Sequence, residues 1–305
     1  MEKVEYLGLP DCYKLSNGAV ELIVTTNVGP RIVRYAFCND ENILGEVPDA
    51  VVETELGEWR PVGGHRLWTA PEGNPRSYAP DSDAVTFEIE GSNLIRLTAQ
   101  TEAATGIQKE MTVMLDAEGT GVSVHHKITN RNLWAIETAP WALTIMKDGG
   151  EAIFPQEPYR AWSEYLLPAR PLVLWHYTDL SDPRWTFSQK YIRLRSDEKL
   201  IEPQKMGLLN KQGWAAYLRQ QTLFVKRAGY TEGATYPDYG CNFETYTAGA
   251  FIEVESLAPL QRLEPGASAE HTERWSLFQD INIGTTEESF DTALTSTLVQ
   301  TESVK

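Results

Sequence analysis

The chain has 305 residues, of which 42% are hydrophobic and 23% are charged, so it can bury a sizeable core. Its formal net charge of −16 argues against nucleic acids and anionic membranes as partners, because both are bound by clustered Lys and Arg. Three cysteines, an odd number with no CxxC pair, predict reduced thiols instead of a disulfide framework.

Nothing in the sequence predicts export or membrane insertion. Residues 1–6 are charged and lack the apolar stretch of a secretory signal. No apolar run approaches the roughly 18 residues that a membrane helix needs. Together with the reduced thiols, these features predict a cytoplasmic protein, and the sequence leaves the oligomeric state open.

Short runs of β-type composition, separated by turn residues, follow one another along the chain. Two hairpins are the clearest, with runs 85–90 and 94–100 flanking a Gly-Ser-Asn turn and runs 107–115 and 121–129 flanking a second turn. The remaining predicted strands are 19–26, 31–37, 190–195, 213–226, 243–247, 251–257 and 270–278. So many strands with tight turns predict an all-β fold, a large antiparallel β-sandwich.

One short helix is predicted, near the C-terminus. Thr285 or Thr286 can cap it, and Phe290, Leu294 and Leu298 recur at the spacing of one helix face. We expect this helix to dock on the surface of the sandwich. The sequence shows no repeat, linker or composition shift, so residues 1–305 are predicted to form a single domain.

The densest group of chemically versatile residues lies in the segment 63–72, which reads Gly-Gly-His-Arg-Leu-Trp-Thr-Ala-Pro-Glu. His65 can carry a proton, Arg66 offers a planar set of donors and Trp68 offers an apolar plate. We interpret the segment as a loop, and loops on a rigid β-scaffold often carry function. The alternative is a structural corner in which Arg66 pairs with a carboxylate.

A second segment, 251–257, has the alternation of a strand. Glu253 and Glu255 share a face with Phe251, opposite the apolar core face. Carboxylates beside an aromatic side chain on an open sheet surface are what a sugar-handling base requires, although an ordinary solvated face has the same pattern. Glu244 lies just upstream in an acidic, tyrosine-rich stretch and is a further candidate contact.

Both segments fall within a wider resemblance to the galactose-mutarotase-like (aldose 1-epimerase-like) proteins. The resemblance rests on Gly29-Pro30-Arg31-Ile32, Ile128-Thr129-Asn130, Glu255-Ser256-Leu257-Ala258-Pro259, Leu263-Glu264-Pro265-Gly266 and the closing run 273–277, in this order along most of the chain. It implies the large β-sandwich of that family and a small-molecule or oligosaccharide substrate. It implies no cofactor, since only proton transfer by groups in hydrogen-bond reach is needed.

The resemblance also implies a mutarotase-type site, in which a glutamate takes the proton of the anomeric hydroxyl and a histidine protonates the ring oxygen. Glu255 stands at the position of that base. His65 lies in the segment where the first active-site histidine is expected. Trp141 occupies the place of the second histidine, and it can stack on a sugar but cannot protonate a ring oxygen.

Three further residues are candidate sugar contacts, each of which can equally be a surface charge. Arg184 and the adjacent Trp185 offer a donor and a plate, Lys205 precedes a turn into a predicted strand, and Arg31 begins a strand beside a glycine.

The remaining histidines are weaker candidates. His126 is predicted to be a satisfied core histidine, and His125 on the same strand faces the other way. His271 is expected to be exposed, and His176 lies in an aromatic run that either lines the cleft or packs. Because no two histidines have metal-ligand spacing, no metal site is predicted.

Three functions remain open from the sequence. The first is an aldose 1-epimerase that uses Glu255 and His65. The second is a non-catalytic carbohydrate-binding module, favoured by the missing second histidine. The third is a glycoside hydrolase or polysaccharide lyase; a hydrolase could use Glu244 and Glu255 if these carboxylates lie about 5–9.5 Å apart.

Overall fold

The computed structural model describes residues 1–284 and 286–301, and this part of the chain contains 25 β-strands and one α-helix. The strands are β1 Glu2–Tyr6, β2 Leu9–Ser16, β3 Val20–Val24, β4 Arg31–Phe37, β5 Glu46–Val47, β6 Val52–Thr54, β7 Gly57–Trp59, β8 Val62–Gly63, β9 His65–Ala70, β10 Thr86–Glu90, β11 Leu94–Thr98, β12 Ile107–Leu115, β13 Val122–Asn130, β14 Ile136–Met146, β15 Gly150–Pro155, β16 Leu172–Leu174, β17 Trp185–Phe187, β18 Tyr191–Arg195, β19 Gln204–Leu208, β20 Trp214–Arg219, β21 Thr222–Ala228, β22 Phe243–Ala248, β23 Phe251–Leu257, β24 Gln261–Leu263 and β25 Ser268–Phe278. The helix α1 spans Glu287–Leu298, and two short 3-10 helices span Arg76–Tyr78 and Val299–Thr301.

Two large antiparallel sheets account for most strands. The first has eleven strands in the order β1-β2-β3-β4-β9-β14-β23-β22-β19-β16, with β24 paired to β14. The second has ten strands in the order β10-β11-β12-β13-β25-β21-β20-β15-β18-β17. The ribbons β5-β8 and β6-β7 form two small additional sheets. This architecture confirms the predicted all-β, large antiparallel sandwich with one short C-terminal helix.

The main hydrophobic core lies between the two large sheets. Ile32 and Leu67 of the first sheet belong to the same buried cluster as Val124 and Trp275 of the second. Successive side chains of a strand point to opposite faces. The residues between these core positions on β4, β9, β14 and β23 therefore point away from the second sheet, onto the outer face of the first.

Most predicted strands are confirmed, and two interpretations were wrong. The run 213–226 is not one strand but the hairpin β20–β21, with Gln220 at φ 54° in its turn. The segment 63–72 is not a loop: Val62–Gly63 and His65–Ala70 are strands, and the second is paired on both sides inside the eleven-stranded sheet. The two glycines made this segment look like a loop in the sequence. Gly64 is needed within the sheet because a Cβ there would lie 2.1 Å from the Ile32 carbonyl oxygen.

The C-terminal helix confirms its prediction. Thr286 is the N-cap and its side chain accepts a hydrogen bond from the Ser289 amide. Phe290, Leu294 and Leu298 are buried against the second sheet, on the face turned away from the main core. Thr285 lies outside the described residues.

Two further observations concern the predicted reduced thiols and the prediction that the chain has no membrane helix. All three cysteines are free thiols. The single α-helix of the described chain is too short and too polar to cross a membrane.

Candidate functional site

A cavity of about 560 Å³ opens on the outer face of the eleven-stranded sheet. Its floor is formed by side chains of β9, β14, β19, β22 and β23. Its aromatic walls come from the floor strands, from the segments around β7 and β16 and from the 3-10 helix, and they comprise Trp59, Trp68, Tyr78, Trp141, Trp175, Tyr177, Tyr246 and Phe251. The charged side chains that line it are Arg66, Glu72, Lys205 and Glu253.

The strand register explains how distant sequence segments meet here. Arg66 pairs with Leu143, Leu143 with Glu255, and Glu255 with Glu244, so these four residues form one row across β9, β14, β23 and β22. In an antiparallel sheet, directly paired residues project from the same face. The row therefore brings Arg66, Glu244 and Glu255 to the cavity side of the sheet, as the alternation of the 251–257 segment predicts.

Glu255 lies beneath the cavity floor and not in its open space. Its side chain is completely buried, and Trp141 Nε1 donates a hydrogen bond of 2.8 Å to its Oε2. Burial raises the pKa of Glu255 to about 7, while the Lys205 ammonium, whose Nζ lies 3.9 Å from Oε2, opposes that rise. Trp141 thus lines the cavity with its ring and holds the buried carboxylate with its N–H.

Glu244 is the cross-strand neighbour of Glu255 and is equally buried. Its Oε2 lies 3.0 Å from Lys205 Nζ. Burial raises the pKa of Glu244 well above its usual range, and the neighbouring Glu255 and Asp238 act in the same direction against the effect of Lys205.

Lys205, on β19, is one of the two cations of the floor. Its Nζ lies 4.6 Å from the ring centroids of both Trp141 and Trp175, and 3.8 Å from a Glu72 carboxylate oxygen. Burial alone would lower the pKa of Lys205, but Glu255 and Glu244 raise it well above its usual value. Lys205 is therefore charged, and its prediction as a site residue is supported by its place in the lining.

Arg66 and Glu253 form a second charged group on the floor. Arg66 Nη2 donates to Glu253 Oε1 at 3.0 Å, and the guanidinium lies 4.6 Å from the ring centroid of Trp68 and 5.4 Å from that of Trp59. Nε and Nη1 of Arg66 have no hydrogen-bond partner among the described residues. Instead, the Arg66 guanidinium lies over the rings of Trp59 and Trp68.

The structure does not bring His65 into this cavity, which corrects its assignment as a catalytic residue. Strand alternation on β9 turns Arg66 and Trp68 outward and His65 inward, between the sheets. His65 is fully buried there, with Nδ1 2.8 Å from Thr144 Oγ1 and Nε2 2.7 Å from His126 Nε2. Burial holds the pKa of His65 well below its usual value.

His65 belongs to a buried polar cluster between the sheets. His65, His126 and Glu273 place one donor atom each within 4.8 Å of one another, a set that can ligate a transition metal although their spacing in the sequence gave no sign of it. The Lys226 ammonium already supplies a positive charge to this cluster, because its Nζ lies 2.8 Å from Glu273 Oε1. His126 Nδ1 donates to the His271 carbonyl, which confirms His126 as a satisfied core histidine.

The outcome for the other histidines is mixed. His271 is buried and hydrogen-bonded to Ser256, so its predicted exposure was wrong. His125 is partly exposed, and His176 is exposed while its neighbours Trp175 and Tyr177 line the cavity.

Besides Glu244, which is buried under the floor, two predicted sugar contacts are absent from the cavity lining. Arg184 is fully buried and bonds Asp182 together with the carbonyl oxygens of two nearby residues, so it organises its own loop. Arg31 is the cross-strand partner of Arg66 but is buried beside it, with Nη2 bonded to both carboxylate oxygens of Asp81. The two assignments failed because a charge followed by an aromatic or a glycine does not specify which face it occupies.

The lining also contains residues that the sequence argument had not selected. Glu253 was recognised only as a face-mate of Glu255, yet it is the member of that pair that reaches the cavity. Trp59 comes from a segment without strand periodicity, and Glu72 ends the segment 63–72 but was given no role of its own.

Comparison with known proteins places the fold. No family model matches the chain, and no curated protein matches it in sequence. A galactose mutarotase-like protein from Lactobacillus casei superposes with a TM-score of 0.58 at 12% identity, covering 88% of this chain and 100% of that one. A candidate aldose 1-epimerase from Escherichia coli K12 gives 0.57 at 12% identity over 88% of this chain and 99% of that one.

A third neighbour, a galactose mutarotase-related enzyme from Lactobacillus acidophilus, gives a TM-score of 0.53 at 8% identity, covering 88% of this chain and 98% of that chain. Identities this low speak for shared architecture and not for shared chemistry. The two large sheets, their antiparallel pairing and these superpositions agree with the resemblance read from the sequence motifs. The chain has the galactose-mutarotase-like fold.

Proposed function

We propose that this protein binds a carbohydrate in the cavity on the outer face of its eleven-stranded sheet. The observation that carries the proposal is the composition of that cavity, in which eight aromatic side chains surround a floor bearing Lys205, Arg66 and Glu253. Sugars offer apolar ring faces that stack on aromatic plates and hydroxyls that bond to charged donors and acceptors. The volume of about 560 Å³ suits a ligand of one to a few sugar rings.

The decisive experiment is isothermal titration calorimetry of the purified protein against a panel of mono- and oligosaccharides. We expect at least one ligand to bind, and Trp68→Ala to weaken it by tenfold or more because a stacking plate is lost. Trp214→Phe is the matched control, since Trp214 is buried on the far side of the second sheet. If no sugar in a broad panel binds, the proposal is refuted.

Aldose 1-epimerase activity at the same site is a second candidate. It is motivated by Glu255, which matches the position of the family's base in the sequence resemblance and whose pKa is raised to about 7, although this carboxyl group lies buried under the cavity floor. Polarimetry of freshly dissolved aldoses tests it. Acceleration above the spontaneous rate, reduced in Glu255→Gln, supports the activity, and an unaccelerated reaction for every sugar that binds refutes it.

Hydrolysis has less support. Glu244 and Glu255, the two carboxylates available for it, are both completely buried under the floor. Neither residue belongs to the lining of the cavity.

A further inference from the structure

The cavity floor presents a different acid and base from those that the sequence resemblance implies. Of the four charged side chains that line the cavity, Lys205 on β19 and Glu253 on β23 carry opposite charges. Glu255 lies on the same face of β23 as Glu253 but is fully buried beneath Lys205 and Trp141. The lining contains no histidine, because His65 points to the other side of the sheet.

Behind Lys205 the charges do not balance. Glu244 and Glu255 are cross-strand neighbours, and Lys205 is the one cation with a nitrogen within 4.0 Å of either carboxylate in residues 1–284 and 286–301. Both carboxylate oxygens of Glu244 and Oε1 of Glu255 are buried without a hydrogen-bond partner among the described residues. Two buried anions around one cation would leave an uncompensated charge, which costs far more than a neutral carboxyl group.

A single proton held by the two carboxylates removes this imbalance. Burial raises the pKa of Glu244 well above its usual range and that of Glu255 to about 7, in agreement with this arrangement. Asp238, on the loop before β22, adds a further negative charge beside Glu244. Glu72, on the loop after β9, has a carboxylate oxygen 3.8 Å from Lys205 Nζ. A proton on this pair would lie in contact with Lys205.

We propose that Glu253 is the base and Lys205 the acid that act on the sugar, and that the Glu244–Glu255 pair returns a proton to Lys205. The inference rests on the proposed sugar site and assigns roles within it. Arg66, which bonds Glu253 Oε1, leaves the second oxygen of that carboxylate free to accept a proton.

The proton transfers balance for ring opening of an aldose. The anomeric hydroxyl gives its proton to Glu253 as the C1–O1 double bond forms. The C1–O5 bond breaks, its electron pair goes to O5, and O5 takes a proton from Lys205. Glu244 replaces that proton. Reclosure on the other face of C1 reverses each transfer and restores the starting protonation of all three groups.

The proton on the Glu244–Glu255 pair is tested without any sugar. Infrared difference spectroscopy at pH 7 of the wild type against Glu244→Gln is expected to show a protonated carboxyl band that the variant lacks. Glu151→Gln is the matched control, because Glu151 is a partly buried glutamate paired with Arg193 outside the cavity. The absence of such a band in the wild type overturns this part of the proposal.

The roles are tested by measuring sugar binding by calorimetry and anomer exchange by polarimetry on the same variants. Glu253→Gln and Lys205→Met are each expected to lose about 10²-fold or more in rate, with binding reduced far less. Glu255→Gln is expected to lose less rate than Glu253→Gln. Lys109→Met, which removes another buried ion-paired lysine, is expected to keep both properties.

The outcomes separate the two proposals. If sugar binds and Glu253→Gln keeps the wild-type rate, or if the wild type gives no rate, the assignment of Glu253 and Lys205 is overturned while the binding function stands. If no sugar binds, both are overturned. A rate that falls in Glu253→Gln and Lys205→Met while calorimetric binding persists supports the assignment.

Discussion

Replacing His126 by Gln should change how the stability of the protein depends on pH. His126 is fully buried between the sheets, and its pKa falls from about 6.5 in the unfolded chain to about 3 in the folded one, chiefly because burial disfavours the charged ring. The folded state therefore stays unprotonated at pH 5, while the unfolded state takes up a proton.

For a group whose pKa is depressed on folding, the stabilisation is complete above the unfolded pKa and is lost as the pH falls toward the folded one. Linkage gives a loss of about 2 kcal/mol from His126 between about pH 7.5 and pH 5. Glutamine cannot titrate, so this loss should be absent in His126→Gln. The destabilisation caused by the substitution should therefore be about 2 kcal/mol smaller at pH 5 than at pH 7.5.

Urea denaturation at both pH values measures this difference. The comparison with the wild type matters, because Glu255 has a raised pKa and becomes more favourable to folding as the pH falls. His125→Gln, on the same strand but with a partly exposed side chain, is the control and should show no such difference. A penalty for His126→Gln that is equal at the two pH values would refute the reasoning.

Three other substitutions have definite expectations. Lys226→Met leaves Glu273 as an unpaired buried charge and should cost about 3–5 kcal/mol in urea denaturation at neutral pH, with most of the loss recovered when Glu273 is also made Gln. Trp141→Phe removes the hydrogen bond to Glu255 and should raise the pKa of that carboxyl, which NMR titration of the side chain would detect as a later titration step. Thr286→Ala removes the N-cap of α1 and should cost about 1 kcal/mol of unfolding free energy, and an unchanged stability would show that the cap is not used in solution.

The fold was readable from the sequence because its signals are local. Hairpins such as β10–β11 and β12–β13 are written in alternation and turn residues that lie next to each other in the chain. The face of Glu253 and Glu255 followed from the same alternation. The position of His65 was not predicted for a related reason. Its segment was interpreted as a loop, so the strand alternation that places His65 and Arg66 on opposite faces was not applied.

The site itself depends on contacts that no local pattern encodes. Lys205 meets Glu244, Glu255 and two tryptophans only because β19, β22, β23 and β14 lie side by side in the sheet. In the sequence, β14 and β19 lie far from each other and from the β22–β23 hairpin, and their pairing is set by packing of the whole sandwich. Glu255 is buried and Glu253 reaches the cavity because of the side chains that cover each of them. The sequence does not show which side chains these are.

The aromatic walls of the cavity have a practical consequence for spectroscopy. Four of the nine tryptophans of the chain line this one cavity: Trp59, Trp68, Trp141 and Trp175. The ring centroid of Trp68 lies 5.3 Å from that of Trp59 and 5.5 Å from that of Trp141. Their emission depends on the polarity and charge of what touches the rings. The unlabelled protein therefore carries its own optical reporter of occupancy, and a shift of its fluorescence on adding a ligand localises that ligand to the cavity.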